Sequence, residues 1–151
     1  SVDLPPAFLA DGTVVTADQY APERPLSAFE SVAAEPARIR SMSPVAIPRY
    51  MADLHNDVRA GRDREVILER GALEALADAY DEFDDALDAG IAVYVVDESL
   101  PFGLTLFDDE TVALTTYDGG SVQGIVMAES EAAVEWATET YESYRDRGAR
   151  L

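Results

Sequence analysis

Short apolar runs that favour β-structure punctuate the chain at near-even intervals. They are Thr13 to Thr16, Arg38 to Met42, Glu65 to Leu68 and Ile91 to Val96, with starts 25, 27 and 26 residues apart. The segments between them hold 21 or 22 residues, enough for one helix and a parallel crossover. The pattern predicts an α/β fold of repeated βαβ units.

Each connecting segment carries one helical stripe. The first helix is expected from Pro25, with Leu26, Phe29 and Val32 or Ala33 inward. The second is expected from Pro48 to Gly61, burying Met51, Leu54 and Val58. The third is the clearest, running from Ala72 to Ala89 with Leu73, Leu76, Ala77, Tyr80, Phe83 and Leu87 inward and Gly90 as its left-handed cap. Its other face is acidic (Glu74, Asp78, Asp81, Glu82, Asp84, Asp85, Asp88) and reads as a solvated surface.

After Val96 the period falls to two. Phe102, Leu104 and Leu106 alternate with Gly103 and Thr105, an acidic tip follows at Asp108-Asp109-Glu110, and Thr111 to Tyr117 and Ser121 to Ala128 flank Asp118-Gly119-Gly120. This predicts an antiparallel meander completing a mixed sheet. The tip lacks the spaced oxygen ligands of an EF-hand and reads as a turn. A C-terminal helix is expected after Ser130 as N-cap, with a seam of Val134, Ala137, Tyr141 and Tyr144, Trp136 at its flank, and Arg145, Arg147 and Arg150 complementing its dipole. That seam could pack on the sheet or join a second subunit.

Composition narrows the chemistry. The chain has 151 residues, 30 acidic against 11 basic, a net charge of −19, no Cys, and His55 as its one histidine; every basic residue is Arg. Without Lys or Cys there is no P-loop, no Schiff-base amine, no thiol nucleophile and no Cys-rich zinc site. Neither a cofactor nor a metal is expected. A polyanion is repelled by nucleic acid, so the chain alone is a poor DNA or RNA ligand. The acid excess matches surfaces adapted to concentrated salt, and no apolar run approaches the ~20 residues that span a bilayer. Acids are so frequent that paired carboxylates carry no signal. The chain starts Ser1-Val2-Asp3, without an initiator Met, so a piece of a longer protein is expected.

In an open parallel sheet, ligands settle beyond the carboxyl ends of the strands. Those ends are the loops Thr16 to Tyr20, Ser41 to Pro48, Glu69 to Gly71 and Asp97 to Phe102. They nominate Ser41, Ser43, Arg49, Tyr50, Glu69, Arg70, Asp97 and Phe102 as ligand-binding residues. The two arginines suit a carboxylate or phosphate, Tyr50 and Phe102 a sugar or ring. His55, at the edge of the second helix's stripe, is a structural imidazole or a ligand contact. A Ser43, His55, Asp57 triad is disfavoured because positions two apart on a helix do not face each other.

Several stretches carry a family resemblance: "SPVAIP", a strand ending in "VILE", "YVVDESLPFGLTLFDDETVALTTYD" and "AVEWATETYESYR". Most specific are Leu100-Pro101-Phe102-Gly103-Leu104, Phe107-Asp108-Asp109 with Val112-Ala113-Leu114, and Glu135-Trp136-Ala137 followed by Tyr141 and Tyr144-Arg145. From Arg38 to Leu151 the sequence resembles the C-terminal domain of haloarchaeal winged-helix transcription regulators and the related methanogenesis-regulator family.

The resemblance implies a phospholipase D-like fold, shared with sugar-sensing TrmB-like regulators. It also implies a cytoplasmic, effector-binding and dimerising domain, here spanning 1–151 as one unit, with DNA bound by a separate winged helix. The catalytic H-x-K-x4-D motif of phospholipase D enzymes is not met: Asp57 follows His55 by two positions and Lys is absent, so no enzyme is expected. The partners implied are a small-molecule effector and a second copy of the chain, with no membrane. Two rivals stand beside this reading: a small hydrolase using Ser43 or a carboxylate, and a ligand-free interaction domain joined through the Tyr141 and Tyr144 face.

Overall fold

The computed structural model describes residues 13–16 as backbone, and 37–46, 48–118 and 121–151. The helix expected from Pro25, most of the loop from Thr16 to Tyr20, and the Gly119-Gly120 turn lie outside the described residues.

Among the described residues, eight strands form one sheet: β1 (Thr13–Thr16), β2 (Arg38–Ser43), β3 (Asp63–Glu69), β4 (Ala92–Val96), β5 (Gly103–Phe107), β6 (Thr111–Asp118), β7 (Ser121–Ala128) and β8 (Ala149–Arg150), in the order β1-β7-β6-β5-β2-β3-β4-β8. β2, β3 and β4 run parallel, joined by α1 (Pro48–Arg59) and then by α2 (Arg70–Ala79) and α3 (Phe83–Ala89). The meander β5-β6-β7 adds antiparallel strands beside β2. The expected mixed sheet with βαβ units, meander and C-terminal helix is therefore present.

Two expectations need correction. β1 is not the first parallel strand: it pairs antiparallel with β7, Thr13 opposite Met127, at the far edge. A four-residue β-branched run satisfies either partner, and even spacing along a chain does not encode sheet order. The long third helix is two helices, broken where Tyr80 adopts an extended conformation (φ −113°, ψ 101°). The break changes which side faces inward, so Phe83 and Ala86 are buried while Ala77 is exposed. Gly90 takes the left-handed cap (φ 118°), and its N–H reaches the carbonyls of Ala86 and Leu87.

The sheet has two covered faces. One carries α1, α2 and α3 over Val66, Leu68 and Val93. The other carries α4 (Glu131–Arg147), whose Ala133, Ala137 and Tyr141 pack on Met42, Ile67, Leu104 and Leu114. Ser130 caps α4 by accepting the Ala133 N–H at 3.1 Å. The tip between β5 and β6 is a tight turn with both Asp108 and Asp109 at positive φ (51° and 59°). Its Asp108 carboxylate compensates by accepting the backbone N–H groups of Arg38 (2.8 Å) and Ala37 (3.2 Å).

Candidate functional site

Alternation along β2 divides its side chains. Arg40 and Met42 face α4, whereas Ser41 and Ser43 face α1, beside Thr105, Gly103 and Thr115 of β5 and β6. Small polar side chains on this face, opposite large apolar ones on the other, leave space beneath α1. A cavity of about 70 Å³ results, walled by Met51 and Leu54 of α1, Leu76 of α2 and Ile125 of β7.

The cavity's polar groups are hydroxyls. Ser43 Oγ donates to the Val45 carbonyl at 2.5 Å and accepts the Val45 N–H at 3.1 Å, which fixes the turn after β2. With its proton committed there, Ser43 is the acceptor from Tyr117 Oη at 3.2 Å. Tyr117 arrives from β6 just past a register shift at Thr116/Tyr117, and its ring lies across Gly103, where an added Cβ would come within 2.8 Å of the phenolic oxygen. Tyr50, on the first turn of α1, interacts with Ser41. Burial pushes both phenols above the ordinary tyrosine value, Tyr50 the further, so they stay protonated at neutral pH.

Of the nine nominated residues, Ser41, Ser43 and Tyr50 come together in this cavity. The others do not join them. Arg49 is exposed on α1. Glu69 accepts the Leu100 N–H at 2.8 Å, tying the end of β3 to the loop after β4. Arg70 and Asp97 form an exposed ion pair at 2.6 Å, whose hydrogen bond holds the Asp97 carboxyl below the usual range. Phe102 packs on Trp136 of α4, ring centroids 5.9 Å apart, on the opposite face. The β3 and β4 ends are thus stitched to each other, and the end of β2 opens on the cavity.

His55 is 1% exposed and its Nδ1 contacts Tyr80 Oη at 2.8 Å, while its Nε2 has no hydrogen-bond partner among the described residues. No Ser hydroxyl among the described residues bonds it, so the Ser43–His55 relation that a serine hydrolase needs is not formed there. Among the described residues, no group of three His, Asp or Glu side chains is placed to hold a metal ion. On α4, Tyr141 is buried against the chain's own sheet, and Tyr144 is half-buried with Arg147 above its ring.

The family model described as the middle domain of methanogenesis regulatory protein FilR1 matches residues 22–147. The chain belongs to that family. This FilR1 middle-domain member is similar in structure to TrmBL2, described as an archaeal chromatin protein, with a TM-score of 0.72 and 15% identity over 99% of the chain. The chain spans 56% of TrmBL2. It is also similar to the phospholipase D family member Nuc from Salmonella typhimurium (TM-score 0.69, 15% identity, 93% of this chain and 99% of Nuc). NucT from Helicobacter pylori gives 0.68 at 10% identity, with 93% and 99% covered. The phospholipase D-like fold is thereby established. No curated protein matches the chain in sequence. No helix among the described residues is long and apolar enough to cross a membrane.

Sequence reasoning missed Gly103, Thr105, Thr115 and Tyr117. Their signal was present as small polar positions alternating with Leu104, Leu106 and Leu114, but only the order β2-β5-β6 brings them beside Ser41 and Ser43. Tyr117 needed the register shift as well, which no local pattern announces.

Proposed function

We propose that this FilR1-family domain is the non-catalytic effector-sensing unit of an archaeal transcription regulator, one domain across 1–151. In this reading it works as a homodimer in the cytoplasm, and a separate winged-helix domain contacts DNA. The observation that carries it is the hydroxyl-lined cavity between α1 and the sheet, in a family whose description is regulatory. A mainly apolar recess with a few polar groups is the usual form of a small-molecule site. TrmBL2, described as using a novel mode of DNA binding, is similar over the whole fold and longer, which supports a sensor attached to further domains. The absence of Lys and the engagement of His55 with Tyr80 favour binding over turnover.

β2 supplies a mechanical link. Ser41 and Ser43 line the cavity, while the intervening side chains meet α4: Arg40 pairs with Asp109, lies 3.8 Å from Glu142 and sits 5.4 Å from the centroid of Tyr141. An occupant that shifts β2 is felt by α4 on the far face. It changes the protein only by binding one arrangement better than the other.

A metabolite panel screened by thermal shift in concentrated KCl tests the reading. At least one compound is expected to raise Tm, with NMR perturbations centred on Ser41, Ser43, Tyr50 and Tyr117. A panel without a binder, or phosphodiester hydrolysis by the chain that is lost on substituting His55, overturns it.

A further inference from the structure

The cavity's chemistry is one-sided. More than a quarter of the chain is charged, 27%, yet none of the 18 described lining residues is. The neighbouring cations are engaged elsewhere. Arg40 is on the α4 face with Asp109, Arg64 holds Asp57 at 2.9 Å, and Arg70 holds Asp97. An anion entering here loses hydration and finds no cationic side chain among the described lining residues, which disfavours it. A cation fares no better, since none of the described lining residues is a carboxylate.

What the cavity offers is an apolar wall and a loose hydroxyl pair. The Ser43–Tyr117 contact, at 3.2 Å, is longer than the usual 2.7–2.8 Å of an O–H···O bond. A ligand oxygen can insert there with little loss, accepting from Tyr117, which burial keeps protonated.

We infer that the site takes a small uncharged molecule with an apolar body and one or two hydroxyl or carbonyl oxygens, of the phenol or short-chain alcohol class, anchored at Ser43 and Tyr117. This rests on the sensor reading above. It also separates the two ligand chemistries that the sequence left open, against the carboxylate or phosphate.

Matched probes test it: phenol against benzoate, and 1-pentanol against pentanoate, titrated by saturation-transfer NMR and calorimetry at pH 7 in concentrated KCl. The neutral member of each pair is expected to bind at least tenfold more tightly. Tyr117→Phe, which keeps the ring, is expected to weaken phenol about fivefold, the equivalent of one hydrogen bond of about 1 kcal/mol. Ser43→Ala gives a second readout of the same anchor should Tyr117→Phe fold poorly by circular dichroism. Carboxylates binding as tightly as their partners overturn the neutral class and leave the sensor reading standing. Phenol binding unchanged in both variants places it outside this cavity and overturns the anchor. Failure of both neutral probes overturns the inference, whereas the sensor reading falls only with the wider metabolite panel.

Discussion

Tyr141 donates its phenolic hydrogen to Glu65 Oε2 at 2.5 Å, from the middle of α4 to the solvent-shielded face of β3. The ring is fully buried, and the same carboxylate oxygen lies 3.4 Å from Arg145 on the next turn of α4. α4 is therefore held to the sheet by a charge-assisted hydrogen bond beside its apolar contact, the kind of bond worth about 1.5–3 kcal/mol.

Tyr141→Phe should destabilise the fold by about 2 kcal/mol, because Glu65 keeps its burial and loses its best donor. Tyr141→Ala should cost about 3–5 kcal/mol by adding the cavity left by the ring. Chemical denaturation distinguishes them: both midpoints fall, with the slope unchanged. Equal midpoints for wild type and Tyr141→Phe would show that the hydrogen bond contributes nothing net.

The buried phenols set an alkaline limit. Tyr50, Tyr117 and Tyr141 all have folded-state pKa values raised above the ordinary 10.0, chiefly by burial, with Glu65 adding to the effect at Tyr141. A raised value means the folded state keeps a proton that the unfolded chain releases. Their contribution is therefore constant below about pH 10 and is lost as pH climbs above it, at no more than about 1.4 kcal/mol per tyrosine per pH unit. Denaturation midpoints between pH 9 and 11.5 should fall steeply, and less steeply in Tyr141→Phe. Parallel curves for the two proteins would contradict the assignment.

The β5–β6 turn separates strain from hydrogen bonding. Asp108 holds φ 51° and accepts two backbone N–H groups. Asp108→Ala removes both acceptors and keeps the unfavourable φ, whereas Asp108→Gly removes the acceptors and relieves the φ. The alanine variant should lose about 2 kcal/mol and the glycine variant about 1 kcal/mol less than that. Equal losses would mean that the positive φ costs nothing here.

Much of this architecture was legible in the residues. The stripes of α1 and α4, the Ser130 and Gly90 caps and the alternating meander each follow from spacing alone, because each is a local pattern. The sheet order was not, since Thr13 to Thr16 reads the same whether it joins β2 in parallel or β7 in the opposite sense. The break at Tyr80 was hidden because Leu76, Tyr80, Phe83 and Leu87 keep helical spacing across it. The candidate site was half legible. Ser41, Ser43 and Tyr50 belong to one loop and its flanks, but Thr105, Thr115 and Tyr117 reach them only through strand pairing across more than sixty residues. Arg70 lies apart from the cavity for a physical reason: at a strand end in so acidic a chain it is paired with the Asp97 carboxylate.

Ionic strength is the remaining lever. A net charge of −19 on 151 residues is self-repelling, and the acids of α2, α3 and the link between them (Glu74, Asp78, Asp81, Glu82, Asp84, Asp85 and Asp88) are all exposed along one stretch. At 0.05 M salt such charges act on one another beyond ~10 Å, whereas near 1 M the range falls to about 3 Å. Salt should therefore stabilise the fold by relieving repulsion, even though it weakens the exposed Arg70–Asp97 and Arg147–Glu98 pairs, each worth about 0–1 kcal/mol. Repulsion wins because the acids outnumber the arginines 30 to 11. Tm is expected to rise between 0.05 and 3 M KCl, with most of the gain below 1 M if screening is the cause. A variant with Asp81, Asp84, Asp85 and Asp88 changed to Asn should melt higher at 0.05 M and gain less from added salt. Equal salt gains in variant and wild type would place the effect in hydrophobic burial instead.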